Sequence, residues 1–273
     1  MSTLYNDSVA FDIDSFYYNI INDVYNHGTE VNGTKEINNY RATLYNINQN
    51  VINIRGLSKR YMAAELLWYL TGRNDVEFIS KYASLWGRIS DDGKTNNSAY
   101  GYILQRKHGF NQIEKMIELL KADPHSRRAV MNINVPNENV IETKDEMCTI
   151  CLQFMIRDNK LNCTAVMRSN DCITGTVYDV TYFTLLQKYI ADALGIDYGE
   201  YVHIAISMHL YERHYKKASE IIEKYDDNSK DDQPFTIDHH RLFTFYEDIM
   251  RDVEINDVNP EDAFFNYGVF VSL

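Results

Sequence analysis

Cys148 heads a segment, residues 145–179, whose side chains suit covalent chemistry on a small anion. A thiolate is a strong nucleophile. After it come Met167-Arg168-Ser169-Asn170-Asp171, a cluster of donors and acceptors, then Gly175 and the isolated carboxylate Asp179. Two other sets of groups lie outside this segment. Glu65 sits inside an apolar helical run between Ala64 and Leu66. A carboxylate there is at a rim, paired, or held with a raised pKa for work. Arg127 and Arg128 follow Pro124-His125-Ser126 at the mouth of a strand. Each guanidinium is a planar fork that suits phosphate, although such a pair is more commonly plain surface charge.

The remaining composition narrows the class. The chain has 273 residues and a net charge of −12, enough to bury a sizeable core. An acidic surface argues against sequence-independent binding to a nucleic-acid backbone, which depends on Lys and Arg. A single nucleotide needs only a local basic pocket. The four cysteines, Cys148, Cys151, Cys163 and Cys172, fall in one stretch. A disulfide framework would spread them, and no histidine stands at zinc-finger spacing from them. They read as reduced thiols in a cytosolic protein, with no metal site. Residues 1–14 lack a basic region followed by an apolar run, so no signal peptide is expected. Apolar runs such as Leu66–Leu70 are too short to span a bilayer.

The elements that must position these groups follow from periodicity and punctuation. Helices are expected over 11–27, over 58–72 between Ser58 and Gly72, over 111–122 before Asp123-Pro124, and over 181–194 before Gly195. Asn32-Gly33 marks a turn, and residues 42–55 suggest two short strands around Asn48-Gln49-Asn50. A polar loop ends on Tyr100-Gly101. A strand runs from Ala129 to Asn134. Residues 147–156 and 161–167 form a hairpin around Asp158-Asn159, and a strand over 201–207 delivers His209 and Tyr211. A helix passes through Ile221 and Ile222. Residues 225–233 read as a charged surface loop, and the tail from Glu247 is acidic until the apolar end, 263–273. There is no repeat, no Pro/Gly linker and no βαβ regularity. One α+β domain on a mixed sheet, covering 1–273, is the expectation.

Taken in order, Glu65-Leu66-Leu67-Trp68-Tyr69-Leu70, Tyr100-Gly101, Asp123-Pro124-His125-Ser126-Arg127-Arg128, Met147-Cys148, Arg168-Ser169-Asn170-Asp171, Gly175 and His209-Leu210-Tyr211 resemble the motifs of the thymidylate synthase family over roughly residues 30–215. The resemblance implies that family's fold, a mixed sheet flanked by helices, and an obligate homodimer. Cys148 becomes the nucleophile at C6 of a pyrimidine nucleotide, its thiol lowered by nearby arginines. Cys151 is then a core residue. Arg168 and Ser169 become phosphate ligands, joined by Arg127 and Arg128 donated across the dimer interface. Asn170 belongs to the same nucleotide-binding set. His209 and Tyr211 match the pair on the sugar hydroxyl. Trp86, Asp171 and Gly175 match the folate site. Tyr100 helps remove the C5 proton, and Glu65 organises water and protonates the base. An N-terminal phosphate ligand is either Lys35 or Arg41. The family's closing C-terminal segment has no recognisable counterpart in 264–273.

Departures from the family pattern point to a subtype. Synthases carry Asn where this chain has Asp179. An amide matches uracil, whose edge offers the N3–H donor and the O4 acceptor. Cytosine offers an amino donor and a bare N3, so a carboxylate sharing a proton with N3 completes that pair. Thr149 and Asn170 also depart from the synthase residues. Together these resemble the deoxycytidylate hydroxymethylase branch, a phage type, using 5,10-methylenetetrahydrofolate and water. The competing expectations are a methylating enzyme on dUMP or dCMP, a hydroxymethylase on CMP, and a non-catalytic relative that binds nucleotide or RNA.

Overall fold

The computed structural model describes residues 7–134, 140–226 and 234–273. The chain enters through β1 (Asp7–Ala10), α1 (Ile13–His27), β2 (Thr29–Val31), β3 (Thr34–Leu44) and α2 (Lys59–Leu70). Two short helices follow, α3 (Val76–Ile79) and α4 (Leu85–Ile89), then α5 (Tyr100–Gln105), α6 (Gln112–Ala122) and β4 (Val130–Asn132). The central run is β5 (Thr149–Arg157), β6 (Lys160–Met167), β7 (Asn170–Asp171), α7 (Thr176–Leu194) and β8 (Asp197–Tyr211). The chain continues through α8 (Tyr215–Asp226), β9 (Phe235–Ile237), α9 (His239–Ile255), α10 (Pro260–Asn266) and β10 (Phe270–Ser272).

The main sheet runs β1-β3-β8-β6-β5-β4, with β2 on β3 and β7 beside β8. It is mixed: β1 lies parallel to β3, β6 and β7 lie parallel to β8, and the other pairs are antiparallel. Helix α7 packs on β6 and β8 from one side and against α6 and α9 from the other. It is therefore buried nearly all round, as a helix with apolar residues on every face must be. Its buried Thr181 and Thr184 hydroxyls return to the carbonyls of Val177 and Val180 at 3.0 and 2.8 Å. On the other face of the sheet, Cys151, Val166 and Ile204 form one row across three strands. All three are half-exposed, and Ile206 beyond them is 44% exposed. Among the described residues no helix is long and apolar enough to cross a membrane.

Several expected elements hold and several move. The Asn32-Gly33 and Asp158-Asn159 turns form with positive φ at both positions, joining β2 to β3 and β5 to β6. The second strand expected within 42–55 is absent. Asn50 and Asn53 use their side-chain amides to pair with the backbone of β9 at Ile237 and Phe235, so this segment needs no ladder of its own. The strand expected over 129–134 shortens to β4, whereas β8 extends well beyond 201–207 at both ends. The expected charged loop lies largely outside the described residues, from 227 to 233. The apolar end 263–273 is tied down: β10 pairs with β9, Phe264 and Phe270 are buried, and α10 packs on α2.

Helix α7 starts at Thr176, before the residue 181 predicted from its apolar face. Its first turn is polar because it faces a cavity. That early start places Asp179 in the cavity wall.

Candidate active site

Helix α2 places Glu65 by regular spacing. Ser58 caps it, accepting from the Tyr61 amide at 3.2 Å. Glu65 stands one turn from both Tyr61 and Tyr69 and is only 7% exposed. Its Oε1 accepts a short hydrogen bond from the Tyr61 hydroxyl and a longer one, 3.4 Å, from Tyr69. The Trp86 indole donates to the Tyr61 oxygen at 3.0 Å. Burial, reinforced by the charge of Asp179, pushes Glu65 up to about 8, against the pull of the Tyr61 hydroxyl. The folded protein therefore keeps a proton that the unfolded chain releases as pH rises from about 4.5 towards 8. Stability attributable to Glu65 falls across that window. Glu65→Gln should consequently be more stable than wild type at pH 8 by about 2–4 kcal/mol, and the gap should shrink towards pH 5. Thermal unfolding of both proteins across this range checks it; a gap that does not change with pH contradicts it.

Cys148 lies immediately before β5, braced by Arg168. The Arg168 guanidinium donates to the carbonyls of Met147 and Glu146, both at 2.9 Å, and reaches the Cys148 Sγ at 3.8 Å. Burial raises the thiol and Arg168 only partly offsets it, with Asp179 pushing in the same direction as burial. The expected net lowering of this thiol by arginines is therefore not found within the single chain. Cys151 lies half-buried in the outer row of the sheet and outside the cavity lining, so it is not the core residue expected.

Asp179 is held by two donors from different elements. Asn170 Nδ2 donates to Oδ2 at 2.7 Å, and the Tyr100 hydroxyl donates to Oδ1 at 3.2 Å. The Thr149 hydroxyl in turn donates to the Tyr100 oxygen at 2.9 Å. Burial pushes Asp179 up to about 7, and the two donors pull it back. Two glycines allow this assembly. A Cβ on Gly101 would sit 1.9 Å from the Tyr69 carbonyl oxygen, and one on Gly175 would sit 3.1 Å from Asn170 Nδ2. Only glycine lets α5 meet α2 so closely; a side chain at Gly175 would need the Asn170 amide to give by a few tenths of an ångström.

The opposite end of the site is cationic and polar. The parallel pairing of β7 with β8 sets Asp171 beside His209. Ser169 Oγ lies 3.5 Å from His209 Nδ1, and the His209 and Tyr211 rings meet edge to face at 5.1 Å. The Arg213 guanidinium stacks on the Tyr211 ring at 4.0 Å. Asp171 accepts from the Ile173 amide at 2.8 Å and the Thr174 hydroxyl at 2.6 Å, closing its own turn.

Most of these groups line one cavity of about 600 Å³. Cys148, Glu65, Asp179, Tyr100, Arg168, Ser169, Asn170, His209, Tyr211, Trp86, Asp171 and Gly175 all contribute to its wall. Arg127 and Arg128 do not; both are exposed at the start of β4. Neither Lys35 nor Arg41 lines it. The Lys35 ammonium donates to the Tyr25 carbonyl at 2.6 Å, and Arg41 pairs with Asp7 at 3.0 Å. No residue of 264–273 lines it either. Sequence reasoning missed Arg213, because it lies past the end of the recognised motif. It also missed Tyr61 and Tyr178, whose rings meet edge to face at 4.8 Å beside Trp86 in the wall. The one-turn spacing of Tyr61 and Tyr69 around Glu65 was the available signal.

The sequence model of the family described as thymidylate synthase matches residues 15–266, nearly the whole chain. The chain belongs to the thymidylate synthase family. Relatives in this family include the deoxyuridylate hydroxymethyltransferase of Bacillus phage SP01, 35% identical over 184 residues, or 62% of this chain and 48% of that one. Another is the deoxyuridylate hydroxymethyltransferase of Pseudomonas phage M6, 33% identical over 158 residues, or 57% of this chain and 45% of that one. The chain spans about half the length of these curated relatives.

Proposed function

We propose that this thymidylate synthase family member is a folate-dependent pyrimidine-nucleotide hydroxymethyltransferase, and that its nucleotide is dCMP. The observation that carries the base assignment is Asp179, a half-buried carboxyl in the cavity wall with a donor on each oxygen. The net reaction is dCMP plus 5,10-methylenetetrahydrofolate plus water, giving 5-hydroxymethyl-dCMP and tetrahydrofolate. The folate, when bound, supplies the one-carbon unit. The aromatic wall of Trp86, Tyr61 and Tyr178, with Leu85 and Ile89 beside it, suits a flat ring of that kind. Gly175 and Asp171 would flank it.

The chain's own groups take the remaining tasks. Cys148 adds to C6 as the thiolate, which makes C5 nucleophilic, and is expelled when the C5–C6 double bond re-forms. Asp179 shares a proton with N3 and accepts from the 4-amino group. Tyr100, with Thr149 behind it, helps take the proton from C5. Glu65, largely protonated at neutral pH because it is pushed up to about 8, orders the water that becomes the hydroxyl, together with Tyr61. Arg168 and Ser169 receive the phosphate, and His209 and Tyr211 the sugar.

Arg127 and Arg128 suit donation across a homodimer interface. Both are exposed, and the Arg127 carbonyl accepts from Gln153 at the edge of the half-exposed face that carries Cys151, Val166 and Ile204. Arg213, stacked in the cavity, is the further phosphate ligand of this chain. Arg213→Ala should raise KM for dCMP about tenfold with little change in kcat, as loss of one charge-assisted bond does. Steady-state kinetics over a dCMP series checks it; an unchanged KM contradicts the assignment. Action in a host cytoplasm suits the two phage relatives.

A second reading takes dUMP as the nucleotide, as the names of both relatives suggest. Tritium release from C5-labelled dCMP and dUMP separates the two. Faster release from dCMP supports the proposal, and release from dUMP alone refutes it.

A further inference from the structure

Behind the Asp179 wall stands a buried histidine that this mechanism does not use. His203, on β8, is 0% exposed and lies outside the cavity lining. Its Nε2 is 3.1 Å from Asn170 Oδ1, and its Nδ1 is 2.8 Å from the Tyr201 hydroxyl. The Thr176 hydroxyl donates to the same Asn170 oxygen. Burial pushes His203 down to about 4, so the ring is neutral and carries one proton. Asn170 Oδ1 can only accept, which places that proton on Nε2 and makes Tyr201 the donor to Nδ1.

The amide orientation and the ring tautomer therefore fix one another: with the Asn170 N–H on the Asp179 carboxyl, its oxygen faces two donors, Thr176 and His203. Reversing it requires three changes at once. His203 must switch tautomer, the Thr176 hydroxyl must turn to the Asp171 carbonyl 3.1 Å away, and Asp179 must place a proton on Oδ2. The orientation matters because a carboxylic acid can in principle pair with either base. Cytosine with a shared N3 proton presents two donors, which suit two accepting oxygens. Uracil presents a donor and an acceptor, so it needs a proton on one oxygen. Asn170 on Oδ2 and Tyr100 on Oδ1 pull the carboxyl towards the form in which both oxygens accept.

We propose that His203 is a positioning residue that holds the Asn170 N–H on Asp179 and so makes the carboxyl choose cytosine over uracil. This rests on the dCMP reading above. The other titratable groups facing Asp179 are Glu65 and Tyr69 from α2, Tyr100 from α5, Cys148 ahead of β5 and Tyr201 from β8. None is a cation that could replace the Asn170 donor.

The test compares kcat/KM for dCMP and dUMP, by tritium release, in His203→Leu, His203→Gln and the near-isosteric Tyr201→Phe. His203→Leu should lower the dCMP-to-dUMP ratio about tenfold, chiefly by raising dUMP turnover. It should also move the alkaline fall of dCMP turnover to higher pH, because Asp179 loses a donor that favours its charge. Gln keeps an N–H and should restore most of the ratio. Tyr201→Phe frees the tautomer and should give a smaller change of the same sign. An unchanged ratio and pH profile in folded His203→Leu and Tyr201→Phe overturns the proposal, as does an equal loss in Leu and Gln, which would mean packing alone. A wild type that prefers dUMP overturns the dCMP reading instead, whatever the variants do.

Discussion

Cys148→Ala is expected to abolish turnover, by about 10⁴-fold or more, while the protein still folds and still binds nucleotide. The thiol is the sole cysteine in the cavity wall. Cys163 and Cys172 are fully buried, and Cys151 faces the other side of the sheet, so no neighbour can take over. Removing Sγ leaves the Arg168 bonds to Met147 and Glu146 in place, so the cationic end of the cavity is preserved. Loss should thus appear in kcat, with nucleotide affinity changed by no more than a few-fold. Calorimetric titration with dCMP and C5 tritium release measure the two separately. Residual turnover within about tenfold of wild type would remove Cys148 from the reaction.

Asp179→Asn should exchange the preferred base. An amide at 179 offers one donor and one acceptor, the complement of the uracil edge, and leaves the cytosine amino group and N3 with a mismatched partner. The ratio of kcat/KM for dCMP over dUMP should fall by about 10³-fold, the scale on which a site built for one polar edge rejects another. The pH dependence should change with it. The cytosine pair needs one proton between Asp179 and N3, and free Asp179 holds its proton up to about pH 7. Wild-type kcat/KM for dCMP should therefore fall as pH rises above about 7. The variant acting on dUMP should lack that limb. Rate profiles from pH 6 to 9 for both substrates test this; a variant that keeps the dCMP preference would show that Asp179 does not read the base.

Much of the site was legible in the sequence because its parts are short motifs on regular elements. Glu65 on a capped helix, the Asp158-Asn159 hairpin and the strand carrying His209 and Tyr211 all follow from period and turn chemistry. The start of α7 was not legible. Its first turn faces a cavity, so the apolar pattern begins a full turn late, and Asp179 looked isolated when it is helical. The segment after β3 was misread because Asn50 and Asn53 replace a strand ladder with side-chain bonds. The resemblance implied that arginines would lower the Cys148 thiol, but burial dominates where Arg127 and Arg128 stay outside the chain's own cavity. Arg213 and His203 carry no motif; only the folded distances bring them to the site.

The most direct test of the central claim is the mass of the product made from dCMP and 5,10-methylenetetrahydrofolate in heavy-oxygen water. Hydroxymethylation predicts dCMP heavier by one hydroxymethyl group, its oxygen carrying the heavy label, with tetrahydrofolate as the other product. A methylated nucleotide formed together with dihydrofolate, or a product from dUMP alone, would contradict it.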